Sequence, residues 1–112
     1  MQTHKELNIP ESFRVGGQEV SVLLVPYIEG KNYGCMGDCR IGASKIQIAD
    51  TIGEDRALQS DSSKINTFYH ELTHSILLTM GRFDLNEDEV FVSTFGSFLC
   101  EAMCSAGVTF DY

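Results

Sequence analysis

Thr67-Phe68-Tyr69-His70-Glu71-Leu72-Thr73-His74-Ser75-Ile76-Leu77 is the stretch whose reading decides the fold. Ile65, Phe68, Tyr69, Leu72, Ile76 and Leu77 recur at helical spacing, Asp61, Ser62 and Ser63 offer N-caps, and Gly81 offers a C-terminal stop. On that helix His70 and His74 are four residues apart, with β-carbons about 5–6 Å from each other on one face. Both imidazoles can therefore reach one metal ion. Glu71 is rotated around the helix from His70, so its carboxylate is placed to contact a water at the metal. Zinc lowers the pKa of such a water to about 7, and a glutamate in this HExxH arrangement takes its proton as general base. The rival reading is two surface histidines beside an unrelated glutamate. The motif's position inside an apolar-flanked helix weighs against that.

A catalytic zinc site takes three protein ligands and keeps a position open for water. The helix supplies two. His4 is the only other histidine, in an N-terminus expected to fray, and the residues after His74 hold no third histidine. The third ligand is then acidic or a thiol. A second helix is expected to start near Asn86, with Glu87, Asp88 and Glu89 in its first turn, and to end by Gly107. Two antiparallel helices joined by a short loop would bring that turn towards the first helix. Asn86-x-x-Glu89 is also a capping-box pattern, which would make Glu89 a helix-start device instead. The apolar residues of this helix are Val90, Phe91, Phe95, Phe98, Leu99 and Met103, and the three phenylalanines read as core.

Upstream, Ser12–Val15 and Glu19–Val25 read as strands flanking Gly16-Gly17, whose positive φ angles suit a tight hairpin. Pro26 closes the second strand. A glycine-rich stretch with Gly30, Gly34, Gly37 and Gly42 follows, then Ser44–Ala49, which alternates polar and apolar like a half-buried strand. Asp50 to Ser60 reads as a loop. Strands followed by helices predict an α+β fold, with a small, mostly antiparallel sheet covered by helices on one face.

The Glu89–Gly96 segment, Glu-Val-Phe-Val-Ser-Thr-Phe-Gly, resembles the glutamate-ligand helix of gluzincins, the thermolysin-like zinc peptidases. That resemblance implies Glu89 as third zinc ligand, with Glu87 as its main rival, and Ser93 supporting it from one turn on. The hairpin from Ile9-Pro10 to Gly16-Gly17, the strand Ile46-Gln47-Ile48, the HExxH run and Leu85–Glu89 together look like a family of small, phage- or prophage-encoded zinc metallopeptidase-like proteins. The family implies a minimal zincin-like core and a Zn2+-dependent hydrolase acting on a peptide or protein. Larger gluzincins add a Tyr, His or Arg that stabilises the oxyanion. Tyr33, Tyr69, Arg40 and Tyr112 are the candidates here, Tyr69 being the one that reads better as core. The small size and the lack of a placed oxyanion residue motivate an alternative: a catalytically weak or inactive zincin-fold module that binds a protein partner. A third reading is a structural zinc that staples a small fold, against which Glu71 speaks.

The rest of the composition sets limits. A chain of 112 residues is read as one domain, 1–112, too short for a separate cofactor domain. Its net charge of -8 argues against nucleic acid and against an anionic membrane as partner. No apolar run is long enough to span a bilayer and no signal-peptide core is visible, so a cytoplasmic location with free thiols is expected. Cys100 and Cys104 share a helix face and read as small core residues, with metal binding as the alternative. Cys35 and Cys39 lie in the glycine-rich stretch. The strand around Ala43 to Ile48 reads as an ordinary sheet strand, the alternative being an edge that pairs with an extended peptide.

Overall fold

In a computed structural model of the chain, residues 1–29, 36–40 and 44–112 are described, with the backbone alone at 38–40. Tyr33, Cys35 and three of the four glycines of that stretch, Gly30, Gly34 and Gly42, lie outside the described residues, as do the side chains of Cys39 and Arg40.

The hairpin forms as its glycines require. Strands β1 (Ser12–Val15) and β2 (Gln18–Val25) pair antiparallel, with Val15 opposite Gln18. Gly16 and Gly17 have φ of 59° and 79°, the left-handed conformation that a two-residue hairpin of this twist needs. Strand β3 (Gly37–Arg40) lies in the glycine-rich stretch, and β4 (Lys45–Ala49) follows.

The sheet order is β1-β2-β4-β3. It is mixed: β1–β2 and β3–β4 are antiparallel, but the central β2–β4 pairing is parallel. Alternation along a strand reports which face is buried, not which way its neighbour runs, so the parallel pairing was not expected. The one hint is the unbroken run Val22-Leu23-Leu24-Val25, a pattern of interior strands. The Asp50–Ser60 segment, expected as loop, holds a two-residue ladder between β5 (Thr51–Ile52) and β6 (Ala57–Leu58).

Helix α2 (Asp61–Met80) lies across one face of the sheet. Ser60, one residue before the expected caps, accepts the backbone N–H of Ser63, and Gly81 ends the helix at φ 76°. Phe68 and Tyr69 pack with Val20, Val22, Ile46 and Ile48. The threonines of α2 that turn inward keep their hydroxyls bonded to the carbonyl one turn back, Thr67 to Ser63 and Thr73 to Tyr69. Leu7 and Ile9 join the same core, because the N-terminus is not frayed. A short helix α1 (His4–Leu7) forms there behind a Thr3/Glu6 capping box.

After Gly81 come a short helix α3 (Phe83–Asn86) and then α4 (Glu89–Ser105). The N-cap of α4 is Asp88, whose carboxylate accepts the backbone N–H of Phe91; Asn86 ends the preceding helix and takes no part in a capping box. Val92 and Gly96 are buried, and Leu99, Cys100 and Met103 pack against the core from the same stripe. This corrects the reading of the phenylalanines as core, because Phe95 and Phe98 are exposed. The α4 sequence carries two apolar stripes, and the inward one is chosen by Gly96. A β-carbon there would meet His70 Cα at 3.1 Å and His70 N at 3.3 Å, so α2 and α4 approach backbone to backbone at this point. Among the described residues no helix is long and apolar enough to cross a membrane.

Candidate metal centre

That close approach puts the first turn of α4 over the middle of α2. Glu89 Oε1 lies 3.5 Å from His74 Nε2, and Glu89 Oε2 lies 3.6 Å from His70 Nε2. The two imidazoles meet edge to face, with ring centroids 5.0 Å apart. Zinc held at about 2.0–2.1 Å by nitrogen and oxygen in a tetrahedron separates its ligand atoms by about 3.3 Å. Each histidine nitrogen therefore stands from a Glu89 oxygen at about the separation of two ligands on one metal. Donor chemistry agrees, because two neutral imidazoles and a carboxylate suit zinc and its neighbours among the divalent ions. One atom each from His70, Glu71 and His74 also falls within 4.8 Å of the others.

A hydrogen bond on the far side of His74 turns its other nitrogen towards Glu89. Asn86 Oδ1 accepts a hydrogen bond from His74 Nδ1 at 2.7 Å, so the proton of the neutral ring sits on Nδ1. His74 Nε2 then faces the Glu89 carboxylate. Burial holds the His70 imidazole below its ordinary pKa, His74 adds to this, and Glu89 opposes it in part. His70 thus resists protonation, as a ligand must.

Glu71 is buried on the sheet side of the motif. Gly37, at the start of β3, lies against it: a β-carbon at Gly37 would come within 2.9 Å of Glu71 Cγ and 2.5 Å of Thr67 Cγ2. Only a glycine lets the edge strand come so close to the glutamate. Two adjoining hollows of about 320 and 340 Å3 share Gly37, His70, Glu71 and Glu89 as lining. One extends to Met36, Asn66 and Ser93, the other to His74, Leu78 and Asn86. Together they form an open trough between the start of β3 and the start of α4.

The other expected residues divide clearly. Ser93 lines the trough beside Glu89, but among the described residues no hydrogen bond joins it to Glu89 or either histidine. Glu87, the rival ligand, is an exposed residue at the end of α3 and lines neither hollow. His4 donates from Nε2 to the Val22 carbonyl at 2.7 Å and serves the fold. The Tyr112 hydroxyl donates to the Ile9 carbonyl at 2.6 Å, and Tyr69 is buried in the core. Strand β4, the alternative peptide-pairing edge, is paired on both sides, and the edges of the described sheet are β1 and β3, of which β3 adjoins Glu71. Asn86 is the residue that sequence reasoning missed. The available signal is an amide immediately before the acidic cluster, in the position of a cap.

No protein-family model matches the chain, and no curated protein and no solved structure shows significant similarity to it.

Proposed function

We propose that the chain is a zinc-dependent metallohydrolase of gluzincin type, with a peptide as its substrate. The observation that carries this reading is that the Glu89 carboxylate reaches both His70 Nε2 and His74 Nε2 at 3.6 and 3.5 Å, while His70, Glu71 and His74 bring one ligand atom each within 4.8 Å of one another. Bound zinc would supply Lewis acidity toward a substrate carbonyl and toward water.

The chain's own groups supply the rest. His70, His74 and Glu89 hold the ion, and Asn86 orients His74 through its Nδ1 proton. The Glu71 carboxylate accepts the proton of the attacking water and returns it to the leaving amine. Gly37 keeps the β3 edge in contact with the glutamate, so an extended peptide added to that edge by main-chain hydrogen bonds would run past Glu71.

The deciding experiment uses Glu71→Gln, which keeps the side chain's shape and removes its basicity. Zinc content should equal that of the wild type, and cleavage of a mixed peptide library, read by mass spectrometry, should vanish. Equal cleavage by wild type and variant would remove Glu71 from the reaction and with it this mechanism.

A further inference from the structure

Among the described residues, the outward stripe of α4 takes part in neither the core nor the metal site. Val90, Phe95 and Phe98 of α4 are 78%, 46% and 68% exposed, beside the buried stripe of Val92 and Gly96. The rings of Phe91 and Phe95 stack at 5.7 Å, 19° from parallel, and make one wall of a groove of about 400 Å3 lined also by Asp88, Val90, Thr94 and Phe98. Exposed aromatics cost solubility unless something covers them.

Area and charge say what fits. An aromatic side chain offers about 150–250 Å2, so at these exposures the stripe presents roughly 400 Å2. A stable dimer needs about 800 Å2 per partner, twice that. Asp88 lines the groove, and residues 83–112 hold no Lys, Arg or His; of their other acidic groups, Asp84 is paired with Arg82 and Glu89 faces the histidines, which leaves Glu87, Glu101 and Asp111. A second copy would set like charges against one another, and an anionic lipid surface would be repelled in the same way. A short apolar helix face edged with basic residues meets neither obstacle and matches the groove in size.

We propose that the Val90–Phe98 face of α4 docks a lysine- or arginine-flanked amphipathic segment of a partner protein. The assignment does not rest on the metal reading, since it uses a different side of α4.

The chain contains no tryptophan, so a tryptophan in a peptide probe reports binding without background. The probe is a leucine–lysine amphipathic peptide of 17 residues, the length of α4, with one tryptophan on its apolar face. Its control carries glutamate at every lysine. The lysine peptide should give a saturable blue shift. Affinity should fall about tenfold or more for the glutamate peptide, and as much for Phe95→Ser and Phe98→Ser, a loss of the size expected for central aromatic anchors. Both variants change exposed side chains and should keep the wild-type melting temperature and zinc content. Leu58→Ser, exposed elsewhere, should bind as wild type. Equal binding of both peptides, undiminished binding by the phenylalanine variants, or no saturable binding would overturn the proposal. So would capture by phosphatidylglycerol vesicles in place of the peptide, or a dimer in sedimentation that Phe98→Ser abolishes.

Discussion

Asn86 and His74 are joined by a 2.7 Å hydrogen bond, Oδ1 accepting from Nδ1, which ties the end of α3 to the middle of α2. The bond fixes both the tautomer and the tilt of the imidazole, so that Nε2 faces Glu89. Asn86→Ala should leave the fold intact and weaken zinc affinity about 10- to 100-fold, as loss of an outer partner of a metal-bound histidine does. Competition with a chromophoric chelator measures it. Unchanged affinity would mean that His74 is held by packing alone.

Gly96 sets the distance between the two helices that carry the site. Alanine is about 1 kcal/mol better than glycine inside a helix, which alone would stabilise the variant. Here the added methyl would meet the His70 backbone at 3.1–3.3 Å, and the backbone of a central helix cannot yield as a side chain can. Gly96→Ala should therefore cost about 1–3 kcal/mol in thermal or urea unfolding. Its zinc affinity should fall too, because Glu89 moves with α4. A stabilised Gly96→Ala would show that the helices have slack at this crossing.

Ser75 lies next to His74 and is fully buried, and among the described residues its hydroxyl has no hydrogen-bond partner. A buried unpaired hydroxyl carries its full desolvation cost, and serine is also the poorer helix former. Ser75→Ala should raise stability by about 1 kcal/mol without changing metal affinity. A destabilised variant would reveal a bonded water at this position.

Burial raises the Tyr69 phenol to about 12, with smaller contributions from Cys104, Cys100 and Tyr112. The folded state thus keeps a proton that the unfolded chain loses near its ordinary value of about 10. The unfolded state binds fewer protons, so stability falls as pH rises from about 10 to about 12 and is unaffected by this group below that window. Melting temperatures of wild type and Tyr69→Phe across pH 8 to 11 check the sign. The variant should lose less on the alkaline side, and parallel curves would remove Tyr69 as a cause.

Helix α2 was legible in the sequence because two independent signals agreed there. Its apolar spacing marked a helix, and His70 and His74 fell four apart on it. The β1–β2 hairpin was legible for a local reason too, the Gly16-Gly17 pair. The failures are non-local. Gly37-Asp-Cys-Arg40 has neither alternation nor β-branched residues, and it becomes strand β3 only because β4 pairs with it. Two apolar stripes on α4 compete on equal terms until α2 is placed beside Gly96. Asn86 looked like a cap because Glu89 is three residues away, whereas its actual partner is twelve residues away in the chain and adjacent only in space.

The central claim is that His70, His74 and Glu89 together hold one divalent ion. Zinc titration of metal-free wild type, His74→Ala and Glu89→Ala against a competing chelator tests it most directly. The account predicts one zinc per wild-type chain, loss of stoichiometric binding in His74→Ala, and clearly weakened binding in Glu89→Ala with the fold retained. Sub-stoichiometric zinc in the wild type, or equal affinity in all three proteins, would contradict it.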